Sequence, residues 1–119
     1  MGADISAGPY PGGVLLGVSA YAALVVQMTS PWYVETRDGS DVGTYYQQDF
    51  VDASSFQAAN EEIPWTLAGY FEWAREKFGP QTYRIEESWG RKIDQECFDA
   101  ARDFVRRCAL EGWYASYSY

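Results

Sequence analysis

Residues 93–119, IDQECFDAARDFVRRCALEGWYASYSY, carry the pattern that decides the fold. At 3.6 residues per turn, Ile93, Cys97, Ala101, Phe104 and Cys108 fall on one stripe, with Phe98 and Val105 beside it. Glu96, Asp99, Arg102, Asp103, Arg106 and Arg107 fall on the opposite side. The segment therefore reads as an amphipathic helix over 93–111, with Arg102, Arg106 and Arg107 as one basic ridge that salt bridges to neighbouring acids account for. Acids lead and bases trail along it, as the helix dipole favours. Gly112 supplies the stop. From Trp113 the period changes to two: Trp113, Ala115, Tyr117 and Tyr119 alternate with Tyr114, Ser116 and Ser118, which is a strand with one face covered.

Upstream, Thr82–Ser88 (TYRIEES) alternates in the same way, and Trp89-Gly90 forms a turn before the helix. The chain is thus expected to finish β, α, β. That unit either joins two parallel strands through a crossover or frames a ferredoxin-like sheet. A second helix is expected over 64–78, with Pro64 in its first turn, Glu61 and Glu62 at its positive end and Gly79-Pro80 as its stop. Its stripe is Leu67, Phe71, Ala74 and Phe78, with Tyr70 on the shoulder. Trp65 and Trp73 lie on the polar side, alongside Glu72 and Glu76. Two indoles there are either covered by another element, such as residues 1–27, or face a partner.

Between Pro31 and this helix, Trp32–Thr36 and Gly43–Phe50 read as two strands of a hairpin turning at Asp38-Gly39. Asp52, Ser54 and Ser55 are N-cap residues for a short helix or turn ending near Asn60. Residues 12–27 (GGVLLGVSAYAALVVQ) are apolar, too short for a span of about 20 residues, and preceded by no basic run of the signal-peptide kind. Their β-type content reads as a buried strand. Met28 as a start, with 1–27 an upstream extension, is the alternative.

The expected fold is one small α+β domain: a mixed or antiparallel sheet with two main helices, 64–78 and 93–111, for which ferredoxin-like is one form. Residues 1–27 form an apolar N-terminal segment, strand or extension, and 28–119 the α+β domain. At 119 residues and 47% hydrophobic content the chain can bury a core unaided. Cys97 and Cys108, about 16 Å apart along one helix, cannot pair with each other and read as reduced core residues.

The charge is uneven. Nine acids and one base, Arg37, occupy the first 72 residues, and eight acids balance eight bases after them, for a net charge of −8. Such a surface repels nucleic acid and anionic lipid and attracts a basic partner.

The chain contains no histidine, which removes Ser-His-Asp and Cys-His catalysis and His-ligated zinc. No phosphate-binding glycine motif is present. Asp38, Ser40 and Asp41 crowd a turn but lack the rest of a calcium loop. Glu86 and Glu87 point to opposite faces of a strand. No catalytic residue, metal site or cofactor is expected.

The expected function is that of a cytoplasmic, non-enzymatic acidic protein binding a basic protein surface. Candidate contacts are Glu35, Asp38, Asp41, Tyr45, Tyr46, Asp49, Asp52, Glu61, Glu62, Trp65, Glu72 and Trp73. Charge would set the association rate, and the aromatics would hold the complex. In size, charge and aromatic content the chain is similar to small acidic inhibitors, including toxin immunity proteins and phage anti-restriction or anti-CRISPR proteins, some of which mimic DNA. No motif ties it to one family. The target would be a nucleic-acid-binding enzyme, toxin or defence complex, with a homo-oligomer left open and neither direct nucleic-acid nor membrane binding expected. Two alternatives are a structural subunit of a virion or multiprotein complex, docking through 1–27 and Trp113–Tyr119, and a small histidine-free enzyme using residues such as Tyr83, Arg84 and Tyr117.

Overall fold

A strand that alternates apolar and polar side chains needs a layer over its apolar face and neighbours for its backbone, and the C-terminal segment has both. The computed structural model describes residues 4–9, 16–18, 21–32, 35–37, 48–79, 87–88 and 91–118; at 16, 18, 35–37, 48–50, 87–88, 91 and 118 the description is of the backbone. In chain order the elements are β1 (Asp4–Gly8), β2 (Leu16–Val18), α1 (Ala22–Thr29) continued by a 3-10 turn (Ser30–Trp32), β3 (Glu35–Arg37), β4 (Gln48–Val51), α2 (Ala53–Glu62), α3 (Leu67–Phe78), β5 (Glu87–Ser88), β6 (Arg91–Lys92), α4 (Gln95–Glu111) and β7 (Tyr114–Ser118). The class is α+β, as the sequence indicates.

Strand β7 lies at the centre of a five-stranded sheet of order β2-β1-β7-β4-β3, and every described pairing in it is antiparallel. Ala115 stands opposite Ala7 on one side and Val51 on the other. These three residues, with Ile5 and Tyr117, are buried beneath the helices. The alternate positions Asp4 and Tyr114 are exposed, so one face of the sheet is covered and the other is polar. Helices α2 and α4 pack on each other and α1 packs on both. Leu24, Val25, Met28, Phe56, Phe98, Phe104 and Val105 fill the space between.

The strands expected on either side of Asp38-Gly39 pair, Glu35 with Phe50 and Arg37 with Gln48, but the first is shifted: Trp32, expected in the strand, lies in the 3-10 turn after α1 and β3 takes Glu35–Arg37, while residues 38–47 lie outside the described ones. The β, α, β ending is different. Glu87–Ser88 pairs with Arg91–Lys92 in a separate two-stranded ribbon, residues 82–86 lie outside the described ones, and no parallel pair occurs among the described residues. The crossover that would make a ferredoxin-like sheet is not among the described pairings.

The N-terminal reading is corrected most. Residues 12–27 are not one strand: β2 takes only Leu16–Val18, and α1 begins at Ala22 and runs to Thr29, across the division expected at residue 28. Ala22, Val25 and Thr29, with Leu24 and Met28, are buried at helical spacing, but apolar neighbours at Ala23 and Val26 hide that period. β1 was not anticipated, because Asp, Ser, Ala and Gly are poor strand formers. Its pairing with β7 on one side and β2 on the other outweighs propensity.

Both main helices start later than expected. Asp94 caps α4, its carboxylate accepting the Cys97 N–H at 2.8 Å, and Ile93 precedes the helix as a buried residue. For α3 the cap is Thr66, and Pro64 falls outside. Ile63 instead takes φ −75° and ψ 127°, the extended backbone that a following proline favours, and so ends α2. The proline closes one helix rather than opening the next. On α3, Tyr70 and Ala74 are the buried residues, and Leu67, Phe71 and Phe78 are half-buried at the margin.

Candidate protein-binding surface

Two short helices joined by Ile63, Pro64, Trp65 and Thr66 place five of the candidate residues, Glu61, Glu62, Trp65, Glu72 and Trp73, close along the chain. At this corner the Thr66 hydroxyl accepts the Gly69 N–H at 3.1 Å, capping α3. Gly69 is required there: a Cβ would lie 2.7 Å from Thr66 Oγ1 and 3.0 Å from Pro64 Cβ. Pro64 and the cap together fix the backbone on either side of Trp65.

Trp65 is 56% exposed, the most open of the described aromatic side chains. One face of its indole is covered, with the Arg102 guanidinium 3.8 Å from the ring centroid. Arg102 itself is fully buried, which corrects its place on the expected basic ridge. Its Nη1 donates to Asn60 Oδ1 at 2.8 Å, and its Nη2 donates to Asn60 O at 2.8 Å and to Ile63 O at 3.1 Å. These carbonyls belong to the negative end of α2, so a cation is well placed among them. Burial, and secondarily the nearby Arg106, lowers its pKa to about 10, which leaves it charged at neutral pH. Its Nε has no hydrogen-bond partner in the described structure.

The other two arginines are engaged too. Arg106 donates to Asp103 through Nε and Nη2, at 3.1 and 2.7 Å, and Arg107 sits 5.4 Å from the centre of the Trp113 ring. No basic ridge remains.

Trp73 is half-buried. It stacks on Trp32 with centroids 6.2 Å apart and on Tyr70 at 5.7 Å, meets Phe78 edge-on, and its Nε1 donates to Glu62 Oε1 at 3.1 Å. The covering element is the 3-10 turn that follows α1, adjoining the segment the sequence suggested. Glu62 also accepts Lys77 Nζ at 2.6 Å, and hydrogen bonds from Lys77 and then Trp73 hold its pKa below the ordinary value. The Tyr70 hydroxyl donates to Gln27 Oε1, tying α3 to α1, and burial pushes its pKa up.

Asp52 serves α2. Its Oδ1 accepts the Ser55 N–H at 2.8 Å, the Ser54 hydroxyl at 2.9 Å and lies 2.8 Å from the Ser55 hydroxyl. The single Ser55 proton is shared between that oxygen and the Trp32 carbonyl. Burial raises the carboxyl's pKa, but these bonds outweigh it and the net shift is downward.

Of the expected contacts, Glu61, Glu62, Trp65 and Glu72 are exposed, the first two at the end of α2, Trp65 in the linker and Glu72 within α3. Asp52 and Trp73 are occupied internally. Glu35 and Asp49 are placed by their backbone in β3 and β4, where Asp49 stands opposite Thr36 of β3 on one side and Tyr117 of β7 on the other. Asp38, Asp41, Tyr45 and Tyr46 lie outside the described residues, as do Tyr83 and Arg84.

Tyr117 is buried in the core. Burial raises the pKa of both thiols, Cys108 to about 12, so neither is a thiolate at neutral pH. Among the described residues no group of three His, Cys, Asp or Glu side chains could hold a metal ion, and no helix is long and apolar enough to cross a membrane. Sequence reasoning missed the Arg102–Trp65 stack. Its signal, an arginine on the flank of an amphipathic helix, reads as a solvated charge until the C-terminus of α2 is known to lie beneath it.

Comparison with protein-family models finds no match, and comparisons with curated proteins and with solved structures find none either.

Proposed function

We propose that this chain is a non-enzymatic acidic protein that works by binding a basic protein surface in the cytoplasm, as an inhibitor of the immunity or phage anti-defence kind. The observation that carries the reading is the charge, −8 net, with the whole excess in the first 72 residues. Acids spread over a rigid surface can occupy a groove that ordinarily holds a phosphate backbone. Glu61 in α2, Trp65 in the linker and Glu72 in α3 are exposed, which leaves two acids and an aromatic side chain open to a partner and supports the reading. Both edges of β7 are paired, so a partner docking there, as in the assembly-subunit alternative, would do so through side chains such as exposed Tyr114 and not by adding a strand.

The test is affinity capture from the native host at low salt and again at ~0.5 M, where screening shortens the reach of charge to a few ångströms. The wild-type chain is compared with the Glu61→Lys/Glu72→Lys double variant. Recovery of a basic nuclease, toxin or defence subunit that salt releases and the double variant fails to hold is the expected result. A partner held equally by the variant and at both salt concentrations contradicts it.

A further inference from the structure

The edge of a sheet presents a row of backbone N–H and C=O groups to any second strand, and natural edges carry charges, prolines or bulges that keep one away. The five-stranded sheet has β3 at one edge and β2 at the other. In its three residues β3 (Glu35–Arg37) carries an acid and a base. β2 (Leu16–Val18) carries neither charge nor proline, and its register with β1 runs without a bulge from Val18 opposite Ile5 to Leu16 opposite Ala7. Among the described residues β2 pairs with β1 alone. No charged residue occurs anywhere between Asp4 and Glu35.

Gly17 sharpens the contrast between the two edges. It is exposed, and a Cβ there would sit at ordinary contact distance, 3.7 Å from Ser6 Oγ and 4.0 Å from Ile5 O. The position has room for the long charged side chain that blunts an edge, and it carries a hydrogen.

We propose that the outer edge of β2 pairs antiparallel with β2 of a second copy of this chain, across a two-fold axis at Gly17, so that the two sheets become one. Gly17 then stands opposite its own image and Leu16 opposite the image of Val18, the register that pairs all three residues of each strand. Antiparallel pairing about a two-fold lets the same groups serve both copies, and it continues a sheet whose described pairings are all antiparallel. Charge selects the occupant. At −8 net, two copies repel where their acids meet, and the uncharged run 5–34 is the stretch that can approach its own image. A basic partner gains nothing from an edge without acids, whereas an uncharged strand does, and β2 is one. Asp4, the acid in β1, lies three strand spacings from its image, at least about 14 Å, beyond the ~8 Å screening length at physiological salt. Three residues give a small interface, so dimer and monomer exchange.

Sedimentation equilibrium of the full chain, from low-micromolar to millimolar concentration and at low and ~0.5 M salt, reads the mass directly. The expected mass rises with concentration from 13.5 kDa toward twice that value, and rises more readily in high salt, which screens the repulsion between copies. Gly17→Lys sets like charges opposite each other at the axis and is expected to weaken dimerisation about five-fold, as is Gly17→Asp. An equimolar mixture of the two variants is expected to recover wild-type association, because the introduced charges then have opposite sign. Uncharged Gly17→Ser is expected to associate as the wild type does, and circular dichroism checks that each variant is folded.

A wild-type chain that keeps monomer mass throughout overturns the proposal. So do charged variants that dimerise as the wild type does, or a mixture no tighter than either variant alone. Self-association that high salt weakens also overturns it, since opposite charges would then be holding the copies together. Each of these results leaves the capture of a basic partner, which salt releases, standing or falling on its own test.

Discussion

Arg102 illustrates how one residue can be misplaced by its sequence and then explain its surroundings. A buried guanidinium that donates to three acceptors at the end of α2 cannot be exchanged for an apolar side chain of similar length, because Asn60 Oδ1, Asn60 O and Ile63 O would lose their donors. Arg102→Met is expected to cost about 3 kcal/mol, the scale of a buried charged partner removed. In a domain of this size that is a fall of roughly 10 °C in melting temperature, readable by circular dichroism. Asp52 makes the complementary case for an acid expected to serve a partner. As the cap of α2 its replacement by Ala is expected to cost about 1 kcal/mol at pH 7. Its native pKa is lowered, so this contribution is complete above the ordinary carboxylate value near 4 and is lost as pH falls through the lowered native value. Urea midpoints of the wild type and Asp52→Ala should therefore differ at pH 7 and converge toward pH 3.

Elements with a regular pattern and a clear stop were legible. Helix α4 ends where Gly112 takes φ 69°, and the Cys108 carbonyl accepts the Gly112 N–H there, as an αL cap requires. A Cβ at Gly112 would meet nothing within 4 Å, so Gly112→Ala tests backbone conformation alone. It is expected to destabilise the chain by about 1 kcal/mol, with Gly112→Asn costing less, as measured by chemical denaturation. Strand β7 was legible from its period-two alternation, and the β3–β4 pair from strand-forming residues on either side of a turn signal, although Trp32 falls in a 3-10 turn and not in β3. The α2–α3 corner was not. A proline after two acids looks like the start of a helix, and only the Thr66 cap and the close approach of Gly69 assign the start three residues later, at Leu67. In α1 an apolar run with no polar side had no visible period, so its tertiary setting alone decides between strand and helix.

At the scale of the whole molecule, the α+β class and the position of its two long helices followed from residues 64–119, whereas the sheet order did not. Its order depends on β1, whose five residues carry little strand preference and are held by pairing with β7 and β2. The candidate surface was partly legible. Exposed Glu61, Glu62, Trp65 and Glu72 were recognisable as acids and an aromatic on one stretch of chain. The division of labour between Trp65 and Trp73 was not, because it is set by Trp32 from a distant part of the sequence. Charge is the property that needs no fold to be read, and it carries the functional proposal. The most direct test is the association rate constant between this chain and its captured partner, measured across ionic strength. A rate that falls at least about tenfold between ~20 mM and ~0.5 M salt, with dissociation little changed, is the expected result for steering by an acidic surface. A rate independent of salt contradicts the account.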